Sequence, residues 1–371
     1  MFARGETIVQ YVEKLAPKHY AVPDDRIGLQ VGSVRKEVKR VLVALDVNAE
    51  VAEEAAALGA ELIVAHHAPI YRPLKHLQTD TPSGALMASL LRHDIAVYVA
   101  HTNLDTADGG MNDWMAEALG LEGRGVLEEV HTDKLFKLVV FVPQEHAEAV
   151  RAALFGAGAG WIGNYSDCSF NVEGTGTFLP REGAEPFIGK PGKRESVAEV
   201  RIETVVPDSV RKAVVRAMLK AHPYEEVAYD LYPMDLKGRT FGLGRVGALP
   251  EPESLDEFAE RVKQALQVPF VRVVGRGDRP IRKVAVLGGS GSRYIGHARF
   301  AGADVLVTGD IDYHTAQDAE AMGLAIVDPG HNAEKIMKPK LAEWLQLRLR
   351  EQGYETEVIA SRIDTEPFRL K

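Results

Sequence analysis

The stretch GAELIVAHHAPIYRP, residues 59–73, decides how this chain is read. Residues 61–66 predict a buried strand that ends in two adjacent histidines, His66 and His67, before Ala68, Pro69 and Ile70 break it. In open α/β sheets, ligands and metals gather at the carboxyl ends of strands. Successive residues of an extended chain point to opposite sides, so the two imidazoles can each face a different metal ion. A histidine pair in a loop serves equally well as a solvated or core-capping feature. The rest of the chain has to decide.

Working outward, residues 38–47 (VKRVLVALDV) predict a second buried strand, and residues 49–58 an alanine-rich helix ended by Gly59. Before them, Ile8, Val12 and Leu15 fall on one face of an N-terminal helix that Pro17 ends, and DDRIGLQVGS predicts a short strand or tight loop. After the histidine loop, Ser83 is positioned to cap a helix running through His93. The strand IAVYVA then leads into HTNLD, which puts Asp105 on the same sheet edge as His66 and His67, and a helix through Leu119 follows.

The far half repeats this plan. IRKVAVLGG matches VKRVLVALD at an offset of 243 residues, from Val38 to Ile281, and AGADVLVTGD matches LGAELIVAHH at the same offset, from Ala60 to Ala303. A third strand, GLAIVD, aligns with DIAVYV after a loop fourteen residues shorter. Fixed-offset similarity signals repeated units. The simplest architecture is an α/β fold of two pseudo-symmetric lobes, residues 1–129 and 237–371, whose strand ends share one cleft. That arrangement brings His331 and Glu334 of GHNAEK toward His66, His67 and Asp105.

Between the lobes, residues 130–236 read as strand, helix, strand and again strand, helix, strand, a ferredoxin-like α+β insert. A trimer of such inserts is a plausible use of their sheet edges. His222, Glu225 and Glu226 in HPYEEVAYDLYPM are candidates for a second metal site, against a structural role in a tyrosine-bearing edge strand.

Three imidazoles and two carboxylates are too few for two tetrahedral structural sites. They suit two ions that share a bridging carboxylate and keep positions for water. Glu334, at i+3 from His331, is the first choice of bridge, with Asp105 next. This ligand mix suits zinc, iron or manganese. His101 and His314 are candidate acid–base groups, while Asp310 and Asp312 read as loop orienters or helix caps.

Composition bounds the rest. The 371 residues are 46% hydrophobic and 26% charged, ordinary for a soluble globular protein of two or three domains. The 44 Lys and Arg against 53 Asp and Glu leave a net charge of −9, with no footprint for nucleic acid. The lone Cys168 excludes an intrachain disulfide and favours a reducing compartment. No apolar run approaches the ~18 residues of a membrane span, and the amphipathic start is not that of a signal peptide. A cytoplasmic protein is expected.

AHHAPIY, HTNLD, TGDIDYH and DPGHNAEK, in this order, resemble the signature stretches of the NIF-three-like dinuclear metal-centre family, whose members are often named GTP cyclohydrolase 1 type 2 homologues. The insert, with PFIG and AHPYEEVAYDLYPM, is similar to the CutA-like or PII-like domain of the long members. The resemblance implies that His66, His67, Asp105, His331 and Glu334 ligate two divalent metal ions, and that the chain forms a toroidal homohexamer of two stacked trimers. It implies a hydrolase of the GTP cyclohydrolase type: hydroxide held by the metals attacks C8 of guanine in GTP or a similar nucleotide, the imidazole ring opens and formate leaves. A non-enzymatic ring that binds metal or a small effector is the alternative. With no GxxxxGK[ST] loop present, the glycine-rich GGSGSRYIGHA at residues 288–298, with Arg293, is the candidate phosphate site; a plain strand-to-helix turn is its other reading.

Overall fold

A computed structural model describes residues 1–369, so the last two residues of the second lobe's range lie outside the described residues. The fold is mixed α/β with several sheets. Residues divide into two compact units: one made of Met1–His131 and the chain from Phe241 onward, the other of Thr132–Thr240.

Besides a two-stranded sheet that pairs Ala3–Arg4 with Glu37–Val38, the first unit holds two larger sheets. In one, the strands Glu357–Ala360, Arg40–Ala44, Leu62–Ala65 and Ala96–Val99 lie side by side in parallel, and Gly28–Val31 closes the edge antiparallel to the last. In the other, Pro280–Ser290, Val305–Gly309 and Ala325–Asp328 run parallel, with Arg272–Val274 antiparallel at the edge beside Ala325–Asp328. Parallel strands buried on both faces read as unbroken apolar runs, which is how they show in the sequence.

Alternation along each strand sorts the side chains into layers. Val41, Val43, Leu62, Val64, Val284, Val286, Val305 and Val327 enter one shared core with Ile8, Phe258 and Leu345 from helices Gly5–Leu15, Leu255–Ala265 and Met337–Glu351. Leu42, Ala44, Ile63 and Val97 face the other way, onto helices Ala49–Leu58 and Pro82–Arg92. Each such buried aliphatic or aromatic side chain contributes roughly 1.5–3 kcal/mol.

Local signals set the boundaries. The Asn48 side chain accepts from Val51 N at 2.9 Å to start helix Ala49–Leu58. Gly59, at φ 64°, closes it in a left-handed turn and sends the chain into Leu62–Ala65. Two details differ from expectation. Thr81, not Ser83, caps the helix Pro82–Arg92, because Pro82 takes the first helical position and the cap must precede it. The strand Glu357–Ala360 returns from the far end of the chain to pair with Arg40–Ala44. Arg245, buried, clasps the loop between helices Thr102–Thr106 and Met111–Ala118 through both oxygens of Asp113 at 2.9 Å and the carbonyl of Ala107 at 3.0 Å.

The second unit has the element order strand, helix, strand, strand, helix, strand. Its sheet pairs residues 135–143 with 199–207, and Ser169–Phe178 with residues 195–204, all antiparallel. Helices Ala147–Gly156 and Asp208–Ala221 cover one face through Val150, Leu154, Val214 and Met218.

His131 and Phe241, where the first unit's chain leaves and returns, have ring centroids 6.3 Å apart. Residues 132–240 are therefore expected to be removable by a direct join. The shortened protein should be soluble and should bind divalent metal with the affinity of the full chain by calorimetry. A folded but metal-blind product would contradict the placement of every ligand in the first unit.

Candidate metal centre

The strand Leu62–Ala65 runs out under tight control. His66 N still donates to Ala44 O at 3.2 Å, and His67 N to Leu45 O at 2.8 Å, so both histidines are fixed by backbone pairing. The His66 ring turns inward and is fully buried, with Nδ1 donating to Ala100 O at 2.9 Å, which leaves Nε2 pointing into the site. His67 Nδ1 is held by Asp46 Oδ1 at 2.7 Å, and its Nε2 faces the same interior.

The second sheet meets them from the far end of the sequence. After Ala325–Asp328, Gly330 at φ 78° turns the chain into a short 3-10 helix, His331–Ile336, which places His331 and Glu334 on one face. His331 Nδ1 is held by Asp310 Oδ2 at 2.7 Å. Asp310 sits at φ 58°, a left-handed conformation that short polar side chains tolerate better than others.

Glu334 is the centre of the arrangement, only 2% exposed. Its Oε2 lies 3.1 Å from His67 Nε2 and 3.3 Å from His331 Nε2, and those two nitrogens are 3.3 Å apart. Its Oε1 lies 3.7 Å from His66 Nε2, which in turn lies 3.6 Å from Asp105 Oδ1. Ligand-type atoms thus form two close triplets that share this carboxylate: His67, His331 and Glu334 on one side, His66, Asp105 and Glu334 on the other. His66, His67 and His101 form a third.

The fit to metal ions can be judged from the chain itself. His66 Nε2 and Asp105 Oδ1 are buried without a hydrogen-bond partner. A buried polar atom left unpaired costs ~1–3 kcal/mol. Two such atoms facing each other beyond hydrogen-bond reach are set for a third body between them. Burial disfavours charge on His67, yet the carboxylates of Asp46 and Glu334 outweigh it and push the imidazole up to about 10. Hydrogen bonding to Glu334 raises His331 to about 9. For Asp105, burial and the neighbouring Glu334 charge raise the carboxyl to about 6 against the pull of the histidines. Burial works against the Glu334 charge as well, but His66 and the other imidazoles hold it well below the usual carboxylate range. The site's field favours positive charge at the positions a cation would take.

The surrounding residues are held by hydrogen bonds of their own. Asn112 joins the two sheets: its Nδ2 donates to Asp105 O at 2.9 Å and its Oδ1 accepts from Gly288 N at 2.9 Å. His101 Nδ1 is held by Asp25 Oδ1 at 2.8 Å, and the His101 ring centroid is 5.0 Å from that of His66. Burial penalises the charged ring, while Asp25 and Asp105 raise its affinity for a proton. Asp46 and Asp25 were not anticipated. Asp46 had a signal, since it follows a predicted strand at the same sheet edge; Asp25, in a turn, had none.

The remaining candidates lie elsewhere or take structural roles. His314 is exposed on the first turn of helix Tyr313–Ala321 with its ring against Tyr313, and none of the close triplets includes it. Asp312 caps that helix, accepting from His314 N and Thr315 N at 3.0 Å. In the proposed phosphate loop, a Cβ on Gly288 or Gly289 would come within 2.9–3.0 Å of Glu334 Oε1, so these glycines make room for the carboxylate, and Arg293 is exposed. In the insert, His222 is spent on Phe141 O at 2.9 Å and Tyr224 N at 3.1 Å, and Glu225 on Glu185 N, which is the structural role.

A cavity of about 680 Å³ opens beside the centre, lined by Asp46, His67 and His331 and by Phe270, Arg272 and Phe368. No helix among the described residues is long and apolar enough to cross a membrane.

If Glu334 serves both triplets, its loss should affect both ions. Glu334→Gln is expected to bind no divalent metal tightly in calorimetric titration. Asp105→Asn should keep one ion with appreciable affinity. Two tight sites in Glu334→Gln would move the bridge to another residue.

Known proteins place this geometry in a family. A GTP cyclohydrolase 1 type 2 homolog of Halalkalibacterium halodurans is 54% identical over 366 residues, 99% of this chain and 98% of that protein. The protein of that name from Bacillus subtilis is 54% identical over 364 residues, 98% of each. Among solved structures, a Bacillus cereus protein related to NIF3 superposes with a TM-score of 0.95 at 51% identity, covering 100% of both chains. A family model matches residues 3–367, and the chain belongs to the Duf34/NIF3 (NGG1p interacting factor 3) family.

Proposed function

We propose that this protein is a dinuclear metal-dependent hydrolase of the GTP cyclohydrolase type, acting on an anionic, nucleotide-like substrate. The observation that carries this reading is the Glu334 carboxylate, with one oxygen toward His66 and Asp105 and the other toward His67 and His331. His66, Asp105 and Glu334 would hold one ion, and His67, His331 and Glu334 the other. Zinc, iron or manganese bound there would supply a water acidified to near-neutral pH and a Lewis acid for the atom under attack.

The chain's own residues supply the rest. Arg272 lies on the cavity wall, anchored to Asp328 and, at 2.8 Å, to Ile311 O, and still exposes much of its guanidinium to an anionic group. Phe270 and Phe368 offer apolar walls for a flat base. His101, oriented by Asp25 through Nδ1, presents Nε2 as the atom to hold or move a proton. Asp46 and Asp310 orient His67 and His331 through their Nδ1 atoms, so that both Nε2 atoms face inward.

The two larger sheets of the first unit, one with four parallel strands and one with three, each with an antiparallel neighbour, support the further reading that they are diverged copies about a pseudo-twofold axis. A homohexamer of two stacked trimers, in the cytoplasm, is the assembly we propose.

Metal-loaded protein should release formate from GTP, or turn over another nucleotide or phosphoester, and His101→Ala should lower kcat ~10²–10⁴-fold with metal content unchanged. Tight nucleotide binding without turnover of any such substrate would overturn the hydrolase and leave a non-enzymatic binding ring.

A further inference from the structure

We propose that the insert carries a binding site for a small organic cation with an aromatic or aliphatic body. The site is a cavity of about 600 Å³, wholly within residues 132–240 and remote in sequence from the metal ligands. It lies on the sheet face opposite the helices. Val200 and Ile202 turn into the helix-covered core, whereas Glu199 and Arg201, in alternation with them, turn into the cavity.

Two glycines make its floor. Gly176 pairs with Val197 and Gly174 with Glu199 across the sheet. A Cβ on Gly176 would fall 2.1 Å from Glu199 Oε2, so the glycine is what lets that carboxylate lie over the sheet. A Cβ on Gly174 would meet nothing within 4 Å, which leaves open space above it. Phe141, Phe178, Phe187 and Tyr224 stand around this floor. The covering loop is tied down where Glu185 N donates to both oxygens of Glu225, at 3.1 and 3.3 Å.

Charge selects the ligand. Glu199 is 8% exposed and has no ion-pair partner among the described residues; its only hydrogen bond there comes from Tyr224 OH, to Oε1 at 2.9 Å. The lining includes Glu199, Glu225 and Glu226 against one guanidinium, Arg201. Arg201 is engaged by Glu203 at 2.8 Å and lies over the Phe141 ring. A buried carboxylate facing aromatic walls favours a ligand that brings its own positive charge, both by ion pairing and by cation–π attraction.

Three probes of one shape test this on the full chain by calorimetry: tryptamine (cation), tryptophol (neutral) and indole-3-propionate (anion). Tryptamine should bind at least ~10-fold tighter than tryptophol, and indole-3-propionate not measurably. Glu199→Gln, which keeps an acceptor for Tyr224, should erase that preference. Gly174→Leu should fill the cavity and abolish binding in a protein that stays folded by circular dichroism. Equal binding of cation and anion, no tryptamine binding at millimolar concentration, or undiminished affinity in Gly174→Leu would overturn the proposal. So would a changed oligomeric mass in Gly174→Leu without any tryptamine binding to the parent, since the face would then be an interface between copies.

Discussion

The first unit is organised around one buried carboxylate. Glu334 is taken out of water, which disfavours its charge, and three imidazoles gather around it to restore that charge. Each of its oxygens faces a different set of ligand-type atoms. Burying such an anion among bases is costly unless the opposite charge is supplied at short range. Protons on the imidazoles do so in part, and divalent cations would do so fully.

The fold is what makes that burial possible. His66 and His67 come from one sheet, and His331 and Glu334 from the other, each at the carboxyl end of a parallel strand. Gly288 and Gly289 give the carboxylate its space, and Asn112 bridges the Asp105 segment to the Gly288 strand. Arg245 clasps the neighbouring loop through Asp113. Breaking a buried pair of that kind costs ~3–5 kcal/mol, so the geometry of Asp105 is held by more than its own short helix. A shared core between the two sheets, built from Val43, Val64, Val286 and Val307 with helix residues such as Phe258, keeps the strand ends in register.

Much of this was legible in the sequence because parallel strands buried on both faces are unbroken apolar runs, and residues at their carboxyl ends stand out. That logic finds His66, His67 and Asp105, and the internal repeat finds His331 and Glu334. The same logic singled out His314, which sits exposed at the start of the helix that follows its strand-end motif. It left the glycine-rich stretch at residues 288–298 open between a phosphate cradle and a plain turn, whereas Gly288 and Gly289 make room for a carboxylate. Asp25 and the return of Glu357–Ala360 to the first sheet were not legible, since pairing partners far apart in sequence leave no periodic trace. In the insert, alternation along the strand separates Val200 and Ile202 from Glu199 and Arg201, but the open space over Gly174 is visible only once the covering loop is in place.

The central claim is that one carboxylate serves two ions. Crystals of untagged protein, measured with anomalous scattering at the zinc, iron and manganese edges, test it most directly. The account predicts two peaks per chain, roughly 3.5–4 Å apart, each bonded to a different oxygen of Glu334. A single peak, or two peaks with Glu334 bonded to only one, would contradict it.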